Sequence, residues 1–277
     1  MLQIKYTILN IFKYLSLILG AFVALFPIIV VFNSSFKTRE EFNSSGPLAL
    51  PENFFNFDNY IVAFKDGKML LAFANTFFIL AISLTGAIIL SSLVAYVLNR
   101  FDFKLKPVIL GAFLFATLIP GVTTQVATFQ IVEALGLYNT RMASIILFMG
   151  TDIISVYIFI QFISDISVSL DESAMLDGAS YFTIYRKIIL PLLKPAISTV
   201  VIIKGIQIYN DFYTPFLYMP SPKLQVISTA LFKFQGPASS QWELICAGII
   251  IVIIPTVIIF LFLQKYIYNG FTQGSVK

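Results

Sequence analysis

The chain has 277 residues, of which 58% are hydrophobic and 12% charged, and its formal net charge is +4. Soluble domains carry about 25% charged residues, so this composition excludes an ordinary water-soluble helical protein, whose helices alternate apolar and charged faces. There is no histidine, no GxxxxGK[ST] phosphate loop, and a single cysteine, Cys246, which sits in an apolar run and reads as a buried small side chain. Histidine-based metal and triad chemistry, an internal disulfide and ATP binding of the usual kind are thereby removed.

Apolar runs recur at 14–32, 70–98, 107–129, 143–163, 196–218 and 244–264. A helix needs about 20 apolar residues to cross a hydrocarbon core about 30 Å thick, so these runs predict an all-α membrane protein with six spans. The first run, Tyr14 to Phe32, follows Lys5 and Lys13 and ends without a small-x-small exit, which predicts a retained span and not a cleaved signal. Segment 33–69 (with SSGPLALPENFFNFDNY) is too long for a turn, so a small external subdomain or lateral helix is expected there. The second run is long for one bilayer and predicts tilt or projection. With the N-terminus inside, and with Lys204, early in the fifth run, added to the inner side, 11 Lys and Arg count as inner and 7 fall on the longer outer segments. That density predicts both termini in the cytoplasm. The chain then divides into a cytoplasmic N-terminus (1–13), a six-span transmembrane domain (14–264) with an inner loop at 164–195, and a cytoplasmic tail (265–277). The outer segment 219–243, with Pro220, Pro222, Gly236 and Pro237, is a second candidate binding loop.

The inner loop reads SDISVSLDESAMLDGASYFTIYRKIILPLLKP. Leu170, Ala174 and Met175 are apolar at helical spacing, with Asp171, Glu172 and Asp177 between them, and Gly178 can end this first short helix. Tyr181, Ile184, Tyr185, Ile188 and Ile189 form a second apolar stripe before Pro191 and Pro195. The pattern predicts a helix-turn-helix along the inner surface, acidic residues outward, with an apolar face that suits a groove on another protein. An amphipathic helix resting on lipid is the alternative, although such helices favour basic polar faces.

The same loop resembles the EAA loop of ABC importer permeases, in which EAA is followed by three residues, G, nine residues and I-x-L-P. Glu172, Ser173 and Ala174 stand three residues before Gly178, and Ile188, Leu190 and Pro191 follow at the family spacing; Ser173 replaces the second motif residue, a small-for-small change. The extension Asp177, Gly178, Ala179 is typical of the sugar branch. PENFFNFDNYIVAF, LVAYVLNRFDFK and the tail LQKYIYNGFTQGSVK also resemble carbohydrate permeases of the binding-protein-dependent inner membrane component family, of the maltose G-permease kind. YNDFYTPFLY resembles the family's WNDF element, with Tyr209 where Trp is usual.

The resemblance implies a non-catalytic subunit with the type I importer fold. It implies a coupling helix seated in a cleft of a nucleotide-binding subunit, with Glu172 paired to a basic residue there. The partners it implies are a second, homologous permease, two ATP-binding subunits that hold the ATP and Mg, and an external solute-binding protein. Gln235, Gly236, Pro237 and Gln241 would reach toward that binding protein, and the tail with Gly270, Gly274 and Lys277 toward the ATPase interface. The sugar is expected to be an oligosaccharide, and the tail and IYNDFYTPFLY resemble α-galactoside permeases.

Polar residues within spans are functional candidates. Asp152, Lys204, Gln125 and Gln130 qualify, as do Gln207, Asn210 and Asp211 with Tyr209 and Tyr213 beside them. Gln207 and Asp211, four apart, are expected on one helix face, either lining a translocation pathway or bonding to a neighbouring helix. A permease for a non-sugar solute, an ion-coupled transporter using Asp152 and Lys204, and a membrane enzyme are the other readings. The ion-coupled one leaves the EAA spacing unexplained, and the enzyme lacks a convergent nucleophile or metal cluster.

Overall fold

The computed structural model describes residues 2–46, 48–150, 152–236 and 240–273. All regular structure among the described residues is helical. In chain order the helices are α1 (Leu2–Ser34), α2 (Arg39–Ser44), α3 (Asp58–Asp66), α4 (Met69–Arg100), α5 (Lys106–Leu118), α6 (Gln125–Ala134), α7 (Arg141–Met149) and α8 (Ile153–Ser164). The second half holds α9 (Ser169–Leu176), α10 (Tyr181–Ile184), α11 (Leu190–Leu192), α12 (Lys194–Asn210), α13 (Tyr213–Tyr218), α14 (Ile227–Ala230) and α15 (Trp242–Gln273). They fall into two compact units, residues 1–70 with 230–258, and residues 71–229 with 259–277.

Among the described residues three stretches are single helices long and apolar enough to cross a bilayer: Leu9–Ser34, Met69–Arg100 and Trp242–Phe262. The count rises to six if each of three bent pairs is one span. α4, with 32 residues, is about 48 Å long at 1.5 Å per residue, longer than the hydrocarbon core, as its sequence leads one to expect. The expected third span is not one helix. α5 and α6 meet at 96°, because Pro120 holds Ile119 in extended backbone at ψ 115° and a 3₁₀ turn, Gly121–Thr124, restarts the chain in a new direction. α7 and α8 are bent by 44°. The expected fifth span, 196–218, ends early at Asn210, where Asp211 turns extended (ψ 111°) before α13 begins.

The first unit contains segment 33–69, which is folded. Thr38 and Glu41 close a capping box on α2, and the other Glu41 oxygen accepts the Glu52 N–H at 2.8 Å. Lys37, 1% exposed, donates to the Ser45 hydroxyl and the Gly46 carbonyl, so its charge is satisfied in burial. Asn59 ties α3 to the Ser35 and Lys37 carbonyls, and Phe36 packs against Phe54, Phe57 and Tyr60. The expected small subdomain therefore forms, with two short helices. Cys246 is buried, as expected.

The second unit is built around α4. Gly86 lets α7 approach it closely, since a Cβ there would meet the Met149 side chain. Its main core joins the C-terminal half of α4 (Ala95, Tyr96, Leu98), α8 (Val156, Phe159, Ile163), the inner loop (Ile184, Tyr185, Ile189, Leu193) and the start of α12 (Ala196, Val200). This core decides which way the inner loop faces.

Candidate functional site: the inner loop and its supports

The loop 164–195, expected on the inner side, folds as the expected helix-turn-helix. α9 ends in a Schellman turn: Ala179 N–H reaches the Ala174 carbonyl at 2.9 Å, and Gly178 N–H reaches Met175 at 3.0 Å. Gly178 supplies the left-handed backbone, φ +83°. Ser180 then caps α10 through the Thr183 N–H. A π turn, Tyr185–Ile189, follows, closed by the Leu190 N–H on the Tyr185 carbonyl. Pro191 has no N–H for an α-helical bond to the preceding turn, and the wider turn relieves the clash its ring would make there. At Leu193 the chain bends by 74° into α12.

Two expectations about the faces of this loop are corrected. Ile184, Tyr185 and Ile189, the stripe expected to insert into a partner's groove, are 0%, 3% and 0% exposed in this chain's own core. Ile188, Leu190, Ala174 and Ala179 pack partly against the same core. The acidic residues also do not all face outward, since Asp171 is 4% exposed. Its Oδ2 accepts from Arg100 Nε at 3.0 Å and its Oδ1 from the Tyr96 hydroxyl at 3.1 Å. The physical reason is shared: the loop lies on the ends of α4 and α8, which offer an apolar floor and one cation. Of the motif residues Glu172, Ser173, Asp177, Gly178 and Pro191 stay exposed, as do Leu170, Met175, Leu176, Tyr181, Phe182, Arg186 and Lys187, with Leu176 90% exposed. Sequence reasoning overlooked Tyr96 and Arg100. Their four-residue spacing at the inner end of α4 was the available signal, because it puts a hydroxyl and a guanidinium on one face.

The polar residues of the spans sort differently from expectation. Gln207 and Asn210 are exposed and Tyr209 is 7% exposed, facing a pocket of about 10 Å³ beside Thr76, Phe148 and Ser228, room for about one water. Gln207 and Asp211 do not share a helix face, since α12 stops between them and the Asp211 carboxylate accepts the Thr214 N–H and hydroxyl. The Tyr213 hydroxyl donates to Gln125 Oε1 at 2.8 Å, which joins the two helix breaks. Lys204 Nζ bonds Asp152 at 2.6 Å and the Gly150 carbonyl at 3.0 Å, so this intramembrane cation is paired. Gln130 is exposed.

In segment 219–243 Gln235 and Gly236 are exposed, and Gln241 N–H bonds the Phe234 carbonyl at 3.0 Å. Phe234 packs with Leu244 and Ile245 at the start of α15. Gly270 lies within α15, while Pro237, Gly274 and Lys277 lie outside the described residues.

Residues 87–273 match the family of binding-protein-dependent transport system inner membrane components. A probable starch degradation products transport system permease of Thermoanaerobacterium thermosulfurigenes is 32% identical over 96% of this chain and 97% of its own length. A melibiose/raffinose/stachyose import permease of Bacillus subtilis is 30% identical over 91% of each. A chain in the crystal structure of a bacterial ABC transporter involved in the import of the acidic polysaccharide alginate superposes with a TM-score of 0.81 at 23% identity, covering 94% of this chain and 96% of that one, a likeness of fold. The exposed turn at Gly178, the broken apolar helices and these relatives lead to one conclusion: the chain belongs to the binding-protein-dependent transport system inner membrane component family, the non-catalytic, multi-pass membrane part of an ABC importer.

Proposed function

We propose that this chain is one of two different permeases in an importer of oligosaccharides, that it forms half of the translocation pathway, and that its inner loop couples the pathway to two copies of a separate ATPase. The observation that carries the coupling is the outward face of α9. Glu172 and Leu176 share that face at four-residue spacing and are both exposed, while the back of the loop is fixed in the core. A protruding apolar knob beside a carboxylate is the arrangement a groove with a basic rim accepts. The sugar class is supported by the relatives, named for starch degradation products, for melibiose, raffinose and stachyose, and for galactooligosaccharides. Gln207, Asn210 and Tyr213 are the proposed pathway residues, supported by Tyr209 and Asp211. Gln235, Gly236, Pro237 and Gln241 are the proposed contact with the solute-binding protein, and both termini are assigned to the cytoplasm.

The test is co-expression with candidate partner permease, ATPase and binding protein, then uptake of labelled α-gluco- and α-galacto-oligosaccharides into proteoliposomes. Nucleotide-driven uptake is expected for at least one oligosaccharide. Glu172→Lys and Leu176→Glu should each release the ATPase, because opposing a buried charge costs on the order of 2–5 kcal/mol. Uptake that persists without ATP and collapses with an ionophore would establish the ion-coupled reading, and uptake of amino acids or ions alone would move the chain to a non-sugar branch.

A further inference from the structure

α4 carries a stripe of three polar residues, Ser92, Tyr96 and Arg100, at four-residue spacing on one face of its C-terminal third. All three are spent on the inner loop. The Ser92 hydroxyl is 2.8 Å from the Tyr185 hydroxyl, which lies in the π turn of the loop's second half. Tyr96 and Arg100 hold the two oxygens of Asp171 on α9, in the first half. The Arg100 guanidinium has two further bonds, Nη2 to the Ile166 carbonyl at 2.8 Å and Nη1 to Asn99 Oδ1 at 2.9 Å. Asn99 in turn donates to the Ser164 hydroxyl at 2.7 Å, at the end of α8. The ion pair is enclosed, its side chains being 8% and 6% exposed.

A buried ion pair is a poor way to gain stability, because well-packed apolar residues of similar volume do as well or better. What it adds is direction. Apolar contacts tolerate sliding, whereas a carboxylate held at both oxygens by donors from one helix face has one seat. α9 has only 8 residues and rests on the core through small or partly buried side chains. Without the polar stripe it could roll under a force applied to Glu172 and Leu176. With the stripe, the force passes to a helix of 32 residues that crosses the bilayer.

We infer that the Tyr96–Arg100–Asp171 cluster is the rigid joint between the docking helix and α4, and that Arg100 and Asp171 are positioning residues for transport, acting through α9 and not by touching the ATPase. The inference rests on the reading of 164–195 as the ATPase-docking loop.

The assay is the complete transporter, with partner permease, ATPase and binding protein, in proteoliposomes, scored as ATP hydrolysed per sugar moved and normalised to assembled complex. Asp171→Asn keeps the shape and removes the charge. It should co-purify with the ATPase at the wild-type ratio while ATP used per sugar rises about tenfold, within the range that residues carrying coupling between sites produce. Tyr96→Phe removes one hydroxyl and should raise the ratio about twofold. A purely architectural role would lower the amount of complex and leave the ratio per complex unchanged; that result overturns the inference. If Asp171→Asn fails to accumulate, Tyr96→Phe decides, and a wild-type ratio there overturns it too. Glu172→Lys and Leu176→Glu separate the two readings. If they keep the ATPase bound, the docking assignment fails; if they release it while Asp171→Asn shows the wild-type ratio, only the joint fails.

Discussion

Gly178 shows how one backbone angle can set the turn of the proposed docking loop. Its φ of +83° is a conformation that residues with a Cβ rarely adopt, yet a Cβ built there meets nothing within 4 Å. The penalty for substitution is therefore conformational, about 1–2 kcal/mol, and does not grow with side-chain size inside this chain. Gly178→Ala and Gly178→Leu should lower thermal stability in detergent by the same amount, with Gly178→Asn milder because Asn tolerates the left-handed region. Any extra loss of uptake in Gly178→Leu over Gly178→Ala then reports on a neighbour outside the chain, where the docking face would meet its partner. If Leu is worse than Ala already in the stability of the isolated chain, the turn is packed more tightly than this geometry allows. Asp152 and Lys204 make the complementary point at residue scale. Each would be costly alone within a span, and their 2.6 Å contact, completed by a carbonyl, makes the pair tolerable.

At the scale of elements, the breaks matter more than the helices. α5 and α6 break at Pro120–Gly121, α12 and α13 at Asp211–Phe212, and Tyr213 and Gln125 bridge the two breaks. Irregular backbone at membrane depth is tolerated where it lines a cavity or is covered by protein, which is why this junction is the proposed pathway. Tyr213→Phe removes one hydrogen bond, a change of about 1 kcal/mol. Maximal uptake should fall about fivefold if the junction is strained or contacted during transport, while sugar affinity of the isolated binding protein stays unchanged. Wild-type uptake in both Tyr213→Phe and Gln125→Leu would remove the junction from the pathway.

For the whole molecule, the outward surface is dominated by apolar side chains because the solvent is lipid. None of the span-length window of α1 is buried within the chain, so lipid or another subunit must cover it. Orientation is set by loop charge. In a Cys246→Ser background, Gln235→Cys should react with an impermeant maleimide in intact cells, and Ser169→Cys should react only after permeabilisation. Both sites are exposed, so the reverse pattern would invert the proposed topology.

The amino-acid sequence alone determined the solvent, the helical class and the place of the turn at Gly178, because these depend on run length, composition and a motif whose spacing is local. Gly178 and the break after Gly178 were readable for the same reason. The direction in which each loop residue points was not. Helical periodicity says that Ile184, Tyr185 and Ile189 lie together, but in a membrane protein an apolar stripe can face lipid, a partner or its own core. Asp171 and Glu172 are adjacent carboxylates, alike in sequence. One is buried because a guanidinium 71 residues earlier in the chain stands beneath it, and only the packing of α4 against the loop could bring that charge there.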